Sequence, residues 1–267
     1  MMSTDFAFKL RFKGEGLQAG GLRLYDGTTS LHGFARALQI TMYAYLNDDL
    51  VGRATALRGA SLFIKPPRSG SVLFDILARF TRTPKSAPLN ADTLYDFTEV
   101  ALKRATGHLD AEAKSPFVRK KLAEDEPFFD ELAEKLEGSL QEAHRVIDED
   151  HLHVSLERPR SPLLHFDLES SQWVHTREED PMTREYRGNM TRFNTQTGNG
   201  RAYFHSIKKI VPVRKSDAFN QVNKGFLTWS LHGSHLSTDK DLIFTGRKIE
   251  SAQGETKRFI IDDCRQA

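Results

Sequence analysis

Cysteine is nearly absent: the 267 residues hold one, Cys264. A disulfide framework and a thiolate-rich zinc site are therefore excluded within one chain. Long apolar runs are missing too. None approaches the roughly 20 residues a membrane helix requires, so no membrane partner is expected. The opening stretch MMSTDFAFKLRFKGEG alternates apolar and polar residues and has no continuous apolar region, so no secretory signal is expected and the chain reads as cytoplasmic. Internal repeats and low-complexity tracts are lacking. The Gly-rich stretch GEGLQAGG at 14–21 lacks the G-K-[ST] ending of a phosphate loop and no helix follows it directly, so it reads as a connection and no cofactor is expected. Net charge is small, at +2, and decides nothing about partners for the chain as a whole.

What is present is phenylalanine and an uneven charge layout. The 18 Phe residues predict aromatic-rich cores. Residues 91–150 hold 16 acidic and 8 basic residues, whereas 182–225 hold 9 basic and 2 acidic. Such asymmetry gives one part of the chain a polyanion-binding face, or makes two parts of the chain attract each other. Both readings stand at this point.

The pattern predicts an α+β protein in several parts. In FAFKLRF, Phe6, Phe8, Leu10 and Phe12 share one face, the period of a half-buried strand. YDGTTS supplies turn residues before a helix over about 30–46. Strands at 55–64 and about 71–80 follow, joined by the turn KPPRSG. Residues 1–85 thus form a strand-helix-strand-strand unit. Residues 86–150 form a helical middle: Asn90 caps a helix ending before Gly107, 108–124 is polar and reads as mobile, and Pro127 opens a helix to about 147. Residues 151–180 hold a hairpin around RPRSP and a linker, REEDPMTRE. Residues 181–267 read as strands 186–193, 200–206 and 208–214, a helix over 216–230, and strands 240–248 and 256–262. This order resembles that of the OB-fold, a small barrel.

Three constellations carry candidate chemistry. The first is RFNTQTGNGRAYF at 192–204. Strand periodicity places Arg201, Tyr203 and His205 on one side and Ala202 and Phe204 on the other, with Thr191 and Phe193 sharing a face on the preceding strand. Aromatics stack bases and arginines meet phosphates, so Arg192 and Arg201 are expected to hold phosphates and Phe193 and Tyr203 to stack. Lys208, Lys209, Arg214, Lys215 and Lys224 extend this face, or form a rim docked on the acidic helices. The second is DEDHLHVSL, where Asp148, Asp150, His151 and His153 are candidate metal ligands, since imidazole and carboxylate suit zinc or manganese. The third is the pair His153-Val154-Ser155 and His235-Leu236-Ser237, which fits the H-x-[S/T] element of two-histidine phosphoesterases. There one histidine is the general base and the other the acid, and Ser155 and Ser237 would hold the phosphate.

Two resemblances add to this. RFNTQTGNGRAYF is similar to the first hairpin of cold-shock domains in Phe193, Asn194, Gly198, Gly200, Tyr203 and Phe204. It departs in that Tyr203 and Phe204 are adjacent and face opposite sides. Residues 17–77, through Leu31, Gly33, Arg58, Gly59, Pro67, Gly70 and Ser71, resemble the N-terminal part of uncharacterised bacterial proteins associated with antiviral defence loci. The resemblance implies a defence-system component and supplies no catalytic residues. Together these readings lead to a non-catalytic binding or regulatory component that takes nucleic acid or a nucleotide on the basic-aromatic barrel face. The alternatives are a self-associating assembly subunit without nucleic acid, and a phosphodiesterase or nuclease using His153 and His235.

Overall fold

The computed structural model describes residues 3–14, 17, 21–53, 57–65, 72–175, 182–236 and 240–267, the side chain of His235 excepted. Most of the Gly-rich stretch, most of the KPPRSG turn with Pro67 and Gly70, Ser71, the first part of the second linker, and Ser237 lie outside the described residues. The chain divides into two compact units, Met1–Glu124 with Leu132–His175, and Asp125–Glu131 with Thr176–Ala267.

The first unit is a five-stranded antiparallel sheet with helices packed on it. Strands β1 (Thr4–Lys13), β2 (Ala60–Ile64), β3 (Leu73–Phe80), β4 (His153–Arg158) and β5 (Ser161–Phe166) lie in the order β2-β3-β1-β4-β5. β1 is the central strand, which is why its alternate residues Phe6, Phe8, Leu10 and Phe12 are all buried. Helices α1 (Leu24–Asn47) and α2 (Ala91–Ala105) meet that face through aromatic edges. Phe34 of α1 packs on Phe12 and Phe166, and Tyr95 of α2 on Phe8. Such edge-to-face pairs contribute about 0.5–1.5 kcal/mol each beyond the area they bury. The hairpin read as a separate piece is the β4–β5 edge of this sheet, so residues 151–175 fold with the N-terminal strands.

Local differences from the sequence reading have identifiable causes. Helix α1 starts at Leu24, so YDGTTS forms its first turns, where the hydroxyls of Thr28 and Thr29 donate back to the carbonyls of Leu24 and Tyr25. Asn90 caps α2 as expected, its side chain accepting from the Thr93 N–H at 2.9 Å. The polar stretch 108–124 is not loose throughout. The buried Asp96 carboxylate accepts from the N–H groups of Lys114 and Ser115, and Ser115 caps α3 (Pro116–Ala143). Inside α3, Asp125 leaves helical geometry at φ −142°, ψ 58°, and Pro127 follows in the first turn after this break. Two short helices, α4 (Arg145–Asp150) and α5 (Leu168–Val174), complete the unit. Asp167 and Ser170 form a capping box for α5.

The second unit is a closed barrel. Its strands are β6 (Arg184–Phe193), β7 (Asn199–Phe204), β8 (Lys209–Lys215), β9 (Leu242–Glu250) and β10 (Thr256–Gln266), in the order β10-β8-β7-β6-β9. All neighbours are antiparallel except β8 and β10, which are parallel. Helix α6 (Lys224–His235) lies in the chain between β8 and β9 and starts later than expected, after a 3-10 turn at Gln221–Asn223. Met190, Ala202, Phe204, Val211, Val213, Phe244, Phe259 and Ile261 fill the interior, joined by Phe219 and by Leu227 of α6. Gly188 pairs with both Phe204 of β7 and Leu242 of β9, and a Cβ there would collide with the Tyr203 carbonyl. A side-chain-free position of this kind lets one strand coil between two neighbours.

Candidate nucleic-acid interface

The β6–β7 hairpin is organised by its turn. Asn194 accepts from the N–H groups of Gln196 and Thr197 at 3.0 and 3.2 Å, and Gly198 takes a φ of +80° that suits glycine. A bulge between Met190 and Arg192 shifts the pairing by one residue and places Arg192 directly opposite Arg201. One extra residue reverses the facing of everything beyond it. Phe193, expected to stand outward and stack, therefore packs against the barrel core. Ala202 and Phe204 point inward, and Tyr203 is partly exposed with its ring edge-on to His205 at 5.4 Å.

The basic residues fall into two groups. The first is already neutralised within the second unit. Arg201, with a side chain 9% exposed, pairs with Glu126 and lies 3.4 Å from Asp130. Arg192 reaches the other oxygen of Glu126 at 3.0 Å, and Asn199 donates to Glu131 at 2.5 Å. Arg187 and His205 share one oxygen of Asp241, at 2.8 and 3.0 Å.

The second group consists of Lys208, Lys209, Lys215 and Lys224, for which no carboxylate partner is found among the described residues. Lys208 and Lys209 are exposed at the turn into β8, Lys208 at a φ of +55°. Lys215 ends β8, lies over the Phe219 ring at 5.4 Å and fills the space beside Gly198. Burial, then the neighbouring Lys224 charge, lower the Lys215 ammonium from its ordinary value. Lys224 donates to the Thr195 carbonyl at 2.8 Å, which brings it to the β6–β7 turn. Arg214 is exposed on β8.

The remaining candidates are placed as follows. Asp150 pairs with Arg23, Asp148 accepts from Ser171, His151 ends α4 in the left-handed region, and His153 starts β4. Among the described residues no group of three or more His, Cys, Asp or Glu side chains could hold a metal ion. Ser155 is buried and donates to Glu157, itself bound by Arg11. His153 belongs to the first unit and His235, at the end of α6, to the second.

Sequence reasoning did not anticipate a Ser–His–Asp cluster in the first unit. Ser171 donates to Asp148 at 2.5 Å and lies 3.3 Å from Nδ1 of His175. Ser171 is buried, and its hydroxyl links the end of α5 to Asp148 of α4. His144 is buried beside it, with Nδ1 2.7 Å from the Leu140 carbonyl and Nε2 2.8 Å from Ser170. Burial lowers its pKa from the ordinary 6.5. The Cys264 thiol is buried, and burial followed by the Asp263 charge pushes it up to about 12. Among the described residues no helix is long and apolar enough to cross a membrane. Comparison with family models, curated proteins and solved structures finds no match for this chain.

Proposed function

We propose that the chain is a non-catalytic binding component whose OB-like barrel takes single-stranded nucleic acid or a nucleotide on its β7–β8 side. The OB-like reading is supported by strand order. With β6 to β10 taken as strands one to five, the order is 1-2-3-5-4 closed on itself, the third and fifth strands are parallel, and the helix follows the third. In OB-folds the ligand lies on the second and third strands and on the loops after the first and fourth. The observation that carries the proposal is the set of lysines with no acidic partner among the described residues at the two ends of β8: Lys208 and Lys209 at one end, Lys215 and Lys224 at the other. The two ends of β8 are about 20 Å apart at roughly 3.3 Å per residue. Such a span suits a strand of several nucleotides, within the site sizes of single OB-folds. Tyr203 on β7, partly exposed and paired with Ile210 of β8, is the stacking residue in this reading.

The test is fluorescence anisotropy with a labelled oligo(dT) 20-mer at low salt. Lys208→Glu with Lys209→Glu should weaken binding at least about tenfold, since each phosphate contact adds to a salt-dependent affinity. Unchanged affinity in the double variant rejects this surface. A defence-system role is part of the same proposal, supported by the N-terminal resemblance, and loss of phage protection on deleting the gene from its native locus tests it.

A second reading, an assembly subunit, has its own support in the first unit. The outer strand β2 exposes Phe63 and Ile64 beside an apolar groove of about 200 Å³ lined by residues including Leu31, Phe34, Leu38 and Ile76. Outer strands with apolar side chains readily pair with another copy. Light scattering on the purified chain, with absorbance at 260 nm, separates the readings: a multimer free of nucleic acid favours assembly.

A further inference from the structure

We infer that Arg192, Arg201 and Asn199 form a phosphate subsite of the barrel, and that the acidic segment 125–131 of the same chain occupies it as a built-in competitor. The inference rests on the polyanion-binding reading and names how that site is regulated.

Three observations point this way. First, Arg192 and Arg201 are direct cross-strand partners in the β6–β7 register. Like charges placed opposite one another are unfavourable, so this pair needs an anion between its guanidiniums. Second, a single carboxylate supplies that anion, one oxygen of Glu126 meeting Arg192 and the other Arg201. A group with several oxygens that bridges two guanidiniums is what a phosphate offers as well, and Arg binds both through the same fork geometry. Glu131 on Asn199 continues the same occupancy toward the turn. Third, the segment carrying Glu126 begins at a break in the helix. Asp125 is non-helical and Pro127 follows it, and residues 125–131 group with the barrel while both flanking parts of α3 group with the first unit. The segment thus forms the first turns of the helix after the break, seated on a cationic strand pair.

The consequence is a competition. A polyanion held by the open lysines gains two guanidiniums only when the Glu126 carboxylate leaves them. Weakening the internal anion should raise affinity for the external one.

The experiment uses the full chain and a labelled oligo(dT) 20-mer, titrated by anisotropy at fixed salt. Glu126→Gln with Glu131→Gln removes two charges at nearly constant shape and leaves Asp130 beside Arg201. Affinity should rise about tenfold, within the usual span of coupling between two binding events. Adding Arg192→Gln to that variant should abolish the gain. Glu126→Asp keeps the charge but withdraws it by one methylene, so its gain should be clearly smaller than that of the Glu126→Gln, Glu131→Gln variant, and circular dichroism checks that each variant is folded. Wild-type binding with no gain in the Glu126→Gln, Glu131→Gln variant overturns the competitor and leaves the polyanion reading intact. An equal gain with Glu126→Asp also overturns it, because the relief would then not be electrostatic. No binding by the wild type or by any variant overturns both.

Discussion

Arg201 tests whether the acidic segment is a structural part of the second unit. Its side chain is 9% exposed and faces Glu126, 15% exposed, and Asp130, 7% exposed. Arg201→Ala removes a cation that both carboxylates face. Breaking a buried ion pair from one side costs about 3–5 kcal/mol, because a charge stays behind in a poorly solvated site. Glu126 keeps Arg192, so the low end, about 3 kcal/mol, is expected. Urea denaturation followed by tryptophan fluorescence reads this directly, since Trp229 packs against the barrel core. The companion double variant, Arg201→Met with Asp130→Leu, replaces the ion pair by apolar groups and should recover most of the loss, because an apolar replacement of a buried pair is often neutral or better. A loss below about 0.5 kcal/mol in Arg201→Ala, the range of ordinary surface changes, refutes the reasoning. So does a double variant no more stable than the single one.

Three further outcomes are expected. His144 is held neutral by burial, so its folded pKa lies below 6.5 and its contribution to stability is complete above that pH and falls as the pH drops through the folded value; urea midpoints at pH 7.5 and 5.5 should differ more in the wild type than in His144→Gln, and equal differences count against this. Cys264, with its thiol pushed up to about 12, should react with a thiol reagent at pH 8 only after unfolding, because about one molecule in ten thousand carries the thiolate there. Gly33→Ala should cost about 1–3 kcal/mol by overpacking, read from thermal or urea melts, since a Cβ at Gly33 collides with the backbone of Ser139 and Ala143.

Much of this architecture is legible in the chain because the signals are local. Alternation from Phe6 to Phe12 marks the central strand, Asn90 marks a helix start, and the order of strands after residue 184 carries the barrel. The parts that are not legible depend on partners distant in sequence. The start of α3 is fixed by Asp96, about twenty positions earlier, and nothing in 108–116 itself announces that anchor. The bulge at Thr191 turns Phe193 inward, and strict alternation cannot foresee it. The charge asymmetry between 91–150 and 182–225 raises internal docking as one use for the basic face, and Arg192 and Arg201 meet Glu126 from that stretch. It could not say which carboxylates are involved, nor that Lys208, Lys209, Lys215 and Lys224 stay outside the pairing, because both depend on the three-dimensional course of α3.

The most direct measurement is the salt dependence of oligo(dT) binding by the unmodified chain. Four lysine–phosphate contacts, from Lys208, Lys209, Lys215 and Lys224, give a slope of about −3 for log K against log salt, at roughly 0.7 per phosphate for a single strand. A slope near −3 is the expected result. A slope near zero, or no binding at 50 mM salt or thereabouts, contradicts nucleic-acid recognition by this barrel.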